Sequence, residues 1–594
     1  VRRTPQRRSR GSERGSPHLR LRIGFVLIAM VLSLFGARLV QLQGLDPNSY
    51  APMAMAEGLR EVVLPAERGD ILDRNGEPLA TSVEGSMIIA DPALTTEHAP
   101  ELAKFLANRL GVDYFTVLER LRAEGSRYEY VARQVPAAKA ESAVDAARKR
   151  GFDGLSTSRD PVRTYPAGDV AANLVGFLGT PDPEEGDQPL AGLELAFDQV
   201  LSGTDGSARY QVGAGNRLPL ADSTTIDAVD GDDVTTTIDR DVQWYAQRVL
   251  RQTVEDSGAK SGFAVVLDSR TGDLLAVADH PTFDANKPAE SPKGDRISRA
   301  MTDVFEPGSV QKVLTLGALV DAGKVTPRTR ITVPPVLERQ DRPIGDWFDH
   351  GTIRLTLAGV LAKSSNIGTV LAADEFAEGE LRDYLTRFGL GQRTGIGVLG
   401  ETPGILPSGS LWTSQTEDRI AFGQSLSVNA VQMAAAVNTI ANGGVRVDPS
   451  LIEGSARMND GTLVGTEEAG TRRVLSERAA RRTTSMMERV VDPEAGVAPG
   501  AAIPGYRVAG KTGTAQAVGA ECGCYDGTFD VSFAGFAPAD DPRFTVYVVI
   551  KNPSNGGGGG SVAGPAFAKL MTFTLRRYGV PPTGAEPSKL PVEW

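Results

Sequence analysis

EPGSVQK, residues 306–312, is the stretch on which the reading of this 594-residue chain turns. Pro307 and Gly308 predict a turn, and Ser309 and Lys312 fall one helical turn apart on a common face. Ser309 is thereby placed at a helix start, where unpaired backbone N–H groups and the positive dipole end face incoming electron density. A serine hydroxyl is a weak nucleophile without a nearby base. Lys312 can be that base only if its amine is largely neutral, a state that burial and neighbouring cations favour. Ser-x-x-Lys alone is weak, since any helix produces it by chance.

Two further elements sharpen it. Ser364-Ser365-Asn366 follows Ser309 by 55 residues, and Lys511-Thr512-Gly513-Thr514 lies a further 147 on. Ser364 can relay a proton between the base and a leaving nitrogen, while Asn366 can hold a substrate amide and orient Lys312. Lys511 supplies positive charge, and the Thr512 and Thr514 hydroxyls can bind a carboxylate. Gly513 leaves a strand surface without a side chain, along which an extended peptide can lie. The backbone N–H groups of Ser309 and Thr514 would form an oxyanion hole. Three such elements in this order specify serine acyl transfer.

The same region holds two decoys. Gly505 to Thr512 matches the spacing of a phosphate-binding loop, but its interior Tyr506-Arg507-Val508-Ala509 reads as strand rather than a glycine cradle. The five glycines at 556–560 read as a flexible connection that borders the cleft, because they follow a strand close in sequence to the Lys-Thr-Gly edge.

Towards the N-terminus, residues 2–22 carry eight arginines against Glu13 alone, and IGFVLIAMVLSLFGA (23–37) is free of charge. With Arg38 snorkelling, a spanning helix of about twenty residues is expected over 23–42. The positive side should stay cytoplasmic, which exports the remainder. A cleaved signal peptide fits less well, because Ala-x-Ala-like sites lie far beyond the apolar core. Formal net charge is −11, so beyond the basic tail the chain carries about −18, a polarity that excludes broad nucleic-acid binding. Four scattered histidines (His18, His98, His280 and His350) show no ligand spacing for a catalytic zinc. Cys522 and Cys524 are the only cysteines; two residues apart, they read as a loop thiol pair without a catalytic role.

The expected domains are a basic tail (1–22), the membrane helix (23–42), a non-catalytic pedestal (43–225), a catalytic domain (230–578) and a Pro-rich tail (579–594). In the pedestal, TEHAPELAKFLANRL and PAAKAESAVDAARKR read as helices and SMIIADPA as a strand. In the catalytic part, SGFAVVLDSRTGDLLAVADHP reads as a hairpin turning at 269–273. Helices are expected near 309–323, 355–387 and 428–441, and strands at 506–513, 530–536 and 543–551. Two early strands, a helical middle and three late strands imply an α/β body whose antiparallel sheet brings the two ends of the domain together.

On these motifs the chain closely resembles the monofunctional, class B high-molecular-weight penicillin-binding proteins, the transpeptidases of bacterial peptidoglycan. RGDILDRNGEPLA (68–80), RTYPAGDVAANLVGFLG (163–179), GLELAFDQVLSGTDG (192–206), TTIDRDVQ (236–243) and the stretch 421–444 extend the similarity along almost the whole chain. The resemblance implies an α/β transpeptidase of the serine β-lactamase-like fold, an antiparallel sheet flanked by helices, carried on an elongated α+β pedestal of the dimerisation type behind a transmembrane helix. It implies Ser309 as acylated nucleophile and Lys312 as its base. Ser364, Asn366 and Lys511 would complete the proton and charge network, with Thr512 and Thr514 gripping the donor's terminal carboxylate. Asp70 and Arg74 would fix the fold. The implied substrates are stem peptides ending in D-Ala-D-Ala, with β-lactams as covalent inhibitors and no metal or organic cofactor. Implied partners are a multi-span membrane glycan polymerase and bitopic division proteins. The long arginine-rich tail looks more like the septal enzyme than the elongation-type one. A β-lactam-reactive but catalytically silent division scaffold is the alternative from another functional class, opposed by the intact motif residues.

Overall fold

The computed structural model describes residues 17–41, 59–179, 188–213, 216–217, 224–339, 342–518 and 524–594. They fall into two units, Val1–Pro65 with Asp205–Ala228, and Ala66–Thr204 with Val229–Trp594.

In the first unit, α1 (Pro17–Val40) has no acidic residue in its first turn and keeps Arg38 in its last. It starts earlier than the expected 23, at a proline, which a first helical turn tolerates. His18–Val40 is long and apolar enough to cross a membrane, and none of its apolar window is buried among the described residues. A long apolar helix of this kind suits lipid as solvent. β1 (Leu59–Leu64) pairs antiparallel with β5 (Gly206–Gly213), Leu64 opposite Gly206.

The second unit opens with a small module. β2 (Gly85–Ala90) runs between β3 (Glu129–Pro136) and β4 (Leu155–Arg159), antiparallel to both. α2 (Ala99–Leu110), α3 (Tyr114–Leu121) and α4 (Ala137–Arg148) are the two helices expected from periodicity plus one more. Leu102 and Leu106, four residues apart on α2, meet Ile88, Val117 and Leu121 in a core of their own. Asp113 caps α3 by accepting from Thr116 N at 2.8 Å. Distant motifs are then tied by buried charge. Glu194 receives Arg68 Nε and Arg163 Nε, each at 2.7 Å, and none of these three side chains is more than 5% exposed. Removing any one would strand the others in a dry interior. Arg74 lies 3.7 Å from Asp273 and over the Tyr578 ring, so it joins this region to the catalytic one.

The catalytic sheet has the order β7–β6–β12–β11–β10, with β6 (Ser261–Asp268), β7 (Leu274–His280), β10 (Ala509–Val518), β11 (Tyr525–Ala537) and β12 (Phe544–Lys551) all antiparallel. The early hairpin thus pairs with the last strand, Val265 opposite Tyr547, as the sequence led us to expect. α5 (Arg240–Ser257) and α11 (Ala563–Arg577) pack on one another and on the sheet. α9 (Ala430–Ala441) and α10 (Glu477–Val491) pack against it as well. Phe263, Val265, Phe533, Tyr547 and Phe567 are buried between these layers.

Three details differ from expectation. The helical stretch 355–387 is broken into α7 (Leu357–Lys363), α8 (Asn366–Ala373) and a helix at Glu380–Arg387. The first break falls at Ser364, whose φ of 60° is left-handed. The Pro-rich tail folds back onto the strand pair β8 (Arg330–Val333) and β9 (Ile353–Thr356), where Thr356 N donates to Val592 O at 3.0 Å and Trp594 lies against Arg330 and Arg354. Cys524 is disulfide-bonded rather than a thiol; Cys522, the chain's only other cysteine, lies outside the described residues.

Candidate active site

A single 3-10 turn, Gly308–Gln311, delivers Ser309 to the start of α6 (Lys312–Asp321). Gly308 N donates to Gly423 O at 3.0 Å, which ties the Ser309 turn to the loop ahead of α9. Ser309 keeps partial exposure, whereas Val310, Gln311 and Lys312 behind it are buried. Lys312, three residues after Ser309, has its side chain fully buried.

The second element arrives on the α7–α8 break. With its left-handed backbone, Ser364 ends α7, and Ser365 caps α8 by accepting from Gly368 N at 2.8 Å. Lys312 Nζ donates to Ser364 O and to Asn366 Oδ1, both at 2.7 Å, and stands 3.4 Å from Ser364 Oγ. From β10, Lys511 Nζ donates to Ser364 Oγ at 2.9 Å, to Thr512 Oγ1 at 2.9 Å and to Thr512 O at 3.0 Å. Ser364 is therefore the hinge between two amines 199 positions apart in the chain.

Both amines are wholly buried. Burial pushes Lys312 down to about 7, and the charge of nearby Asp346 opposes that fall. Lys511 is held well below the ordinary lysine range, chiefly by burial and further by the charge of Lys312. A site of this kind holds a neutral amine near neutral pH, the state that proton abstraction requires.

β10 is an edge strand, paired only with β11 among the described residues. Thr514 is exposed along it, while Thr512 is buried with its oxygen accepting from Lys511, which leaves its O–H free to donate. A Cβ on Gly513 would stand 2.2 Å from Ser532 Oγ and 3.0 Å from Pro307 O, and one on Gly308 would be 2.8 Å from Thr514 O. The Ser309 turn and the Lys-Thr-Gly strand thus touch backbone to backbone, with the Ser309 and Thr514 amides on the two touching segments. The glycine run is packed as well as flexible by composition, since a Cβ on Gly559 would lie 2.6 Å from Gly513 O and 2.3 Å from Ser532 O. The phosphate-loop decoy resolves into a turn at Pro504–Gly505 leading into β10, with no helix after it to face a phosphate.

All five polar residues expected in the catalytic network are gathered on adjoining segments, and the Thr512–Thr514 strand borders them. Sequence reasoning missed Asp346, which accepts from Ser365 Oγ at 2.7 Å and from the backbone N–H of Asn366 at 2.6 Å. It also missed the contacts of Glu306, whose carboxylate accepts from Ser425 N at 2.8 Å and from Tyr525 Oη at 2.9 Å. No local pattern marks either one.

A serine at a helix start, backed by two buried amines and flanked by an open strand edge, defines a serine acyltransferase that acts on extended peptides. Comparison with known proteins sharpens the class. Residues 262–572 match the penicillin binding protein transpeptidase domain, and residues 63–236 match the penicillin-binding protein dimerisation domain. The chain is 35% identical to penicillin-binding protein PbpB of Mycolicibacterium smegmatis over 593 residues, covering 94% of this chain and 89% of that protein. It is 33% identical to the peptidoglycan D,D-transpeptidase FtsI of Escherichia coli, covering 94% and 91%. The crystal structure of penicillin binding protein 3 from Mycobacterium tuberculosis, complexed with aztreonam, superposes with a TM-score of 0.68 at 31% identity, over 90% of this chain and all of that one. The chain belongs to the class B penicillin-binding proteins, with PbpB and FtsI among its relatives, and is a serine-type D,D-transpeptidase.

Proposed function

We propose that the chain cross-links peptidoglycan stem peptides at the division septum, through an acyl-enzyme on Ser309. The observation that carries this reading is the convergence of Lys312, Ser364, Asn366 and Lys511 beside the Ser309 turn, through hydrogen bonds of 2.7–2.9 Å. Ser309 Oγ attacks the carbonyl carbon of the penultimate D-Ala, and its proton passes to neutral Lys312. The amides of Ser309 and Thr514 stabilise the oxyanion. Ser364, linked to both lysines, carries the proton to the departing nitrogen; the C–N bond breaks and D-Ala leaves. An amine from a neighbouring stem then attacks the ester, the cross-link forms and Ser309 regains its proton. Asn366 holds Lys312 and a substrate amide, while the Lys511 amine and the Thr512 and Thr514 hydroxyls receive the donor carboxylate. β-Lactams, which resemble the D-Ala-D-Ala end, acylate the same oxygen.

We assign residues 43–225 to a pedestal and 230–578 to the transpeptidase, with residues 1–22 cytoplasmic and the body outside the membrane. The arginine-rich flank of α1 supports that orientation. Similarity to PbpB and FtsI supports the septal role over the elongation-type one. An enzyme that only cross-links works beside a membrane glycan polymerase and bitopic division proteins, for which α1 and the pedestal are the docking surfaces.

Intact-protein mass after incubation with benzylpenicillin tests the reading. One drug mass on the parent and none on Ser309→Ala is the expected result. A parent that neither gains mass nor consumes the drug would leave only a scaffold.

A further inference from the structure

The loop Gly345–Gly351 (GDWFDHG) lies between β8 and β9 and folds over the Ser364–Asn366 turn. Its Asp346 side chain has no exposed surface. Four groups surround the carboxylate: Ser365 Oγ at 2.7 Å, Asn366 N at 2.6 Å, Ile367 N at 3.1 Å and His350 Nε2 at 3.1 Å. The His350 side chain is itself only 6% exposed, lies against the Phe348 ring at a tilt of 42°, and has Nδ1 against Gly351 O. The same loop grips Asn366 from its other side, where Asn366 Nδ2 donates to Gly345 O at 3.0 Å. Trp347 Nε1 donates to Lys363 O at 2.9 Å, closing the loop onto the end of α7.

A carboxylate shielded from water is costly unless its partners are complete and its charge has a use. Here the partners are the three residues after Ser364 together with His350, and the opposite charge across the turn is Lys312. We propose that Asp346, clamped by His350, is a positioning residue of the transpeptidase: it fixes Asn366 against Lys312 and holds a carboxylate across the turn from that amine. The proposal rests on the reading of Lys312 as the base for Ser309.

Each part of the clamp has a separate job. Amide N–H groups at the start of α8 point at Asp346, so the carboxylate fixes where that helix begins. Asn366 stands at this start, and its Oδ1 accepts from Lys312. A shift of the carboxylate therefore moves the amine's acceptor. The charged groups facing Lys312 are Lys511 from β10 and Asp346 from this loop, with His350 behind Asp346. Asp346 is the group that favours the protonated form of Lys312. Its negative charge stops burial from stripping the amine of basicity altogether. A base whose proton affinity is too low takes the serine proton poorly, so the charge keeps Lys312 near the working pH.

The test is the pH dependence of benzylpenicillin acylation, followed by intact mass for the full chain in detergent. In Asp346→Asn the backbone contacts persist while the charge is lost. The acid limb of its acylation profile is expected to move down by about one pH unit, with a lower plateau. Asp346→Glu keeps the charge but displaces it, so its limb should stay while its plateau falls. A purely structural Asp346 would lower both plateaus and move neither limb, which would overturn the proposal. Should Asp346→Asn not fold, the His350 variants decide. His350→Gln retains a donor for Asp346 and should acylate like the parent, whereas His350→Leu should acylate several-fold more slowly; equal rates for the two overturn the clamp. A parent that is never acylated refutes the underlying reading instead, since both arms require an acylated parent.

Discussion

Gly423→Ala isolates the placement of the nucleophile from its chemistry. Gly423 has φ +97°, and a Cβ there would lie 1.9 Å from Gly308 O, 2.5 Å from its carbonyl carbon and 2.8 Å from its Cα. All three are backbone atoms of the residue before Ser309, so no rotamer relieves the contact. Reaching ordinary van der Waals separation requires roughly 1.5 Å or more of movement. The Gly308 N to Gly423 O bond resists this, since it anchors the same turn at 3.0 Å. Overpacking of this kind costs about 1–3 kcal/mol, and the positive φ about 1–2 kcal/mol more for alanine. Misplacing a nucleophile by about 1 Å costs on the order of a hundredfold in rate. Gly395→Ala is the control: its φ is +76°, but a Cβ there meets nothing within 4 Å. It carries the backbone strain without the clash and should acylate like the parent. The assay is the second-order rate of benzylpenicillin adduct formation by intact mass, with a thermal melt for each variant. Acylation by Gly423→Ala within about threefold of the parent would refute the inference that this contact sets the Ser309 turn.

Three further outcomes come from the lysine pair and from the docked tail. Because burial pushes Lys312 down to about 7, and only its neutral form can take the serine proton, acylation should rise about tenfold per pH unit below that point and level off above it. Lys312→Arg, which stays protonated throughout, should acylate slower by on the order of a thousandfold in the same mass assay. At the far end of α7, a Cβ on Gly359 would stand 1.8 Å from Val592 O, so Gly359→Ala should expel the docked tail. Losing the Thr356–Val592 and Thr356–Pro591 hydrogen bonds and the Trp594 stacking should cost about 2–3 kcal/mol, read from thermal melts. A chain truncated before Pro591 should gain no further loss from the same substitution.

Much of the site was legible because acyl transfer restricts residue types at short spacing. Ser309 and Lys312 share a helix face, so a local pattern finds them. The Lys-Thr-Gly strand was legible as a strand near 506–513, although β10 begins only at Ala509, and the pairing of the early hairpin with the last strand, β6 on β12, follows from closing an antiparallel sheet. What failed to show was set by paths rather than patterns. The 355–387 stretch read as continuous helix, because nothing in its periodicity announces that Ser364 turns left-handed to face two amines. The glycine run read as flexible because composition reports freedom, whereas its packed role depends on the missing Cβ at Gly559 beside Gly513.

Asp346 is the instructive miss, because the rule that asks for such a group names no position in the sequence. A buried lysine that must stay basic near neutral pH needs a carboxylate within reach. EPGSVQK, LAKSSNIG and KTGT offer only Glu306. Glu306 faces elsewhere, with its oxygens taken by Tyr525 and Ser425. The charge therefore had to come from a segment with no motif of its own. The residue able to supply it lies 20 positions before Asn366, in a loop whose ends are fixed by β8 and β9. Chemistry could state that the charge was required, and only the path of that loop could say which residue carries it.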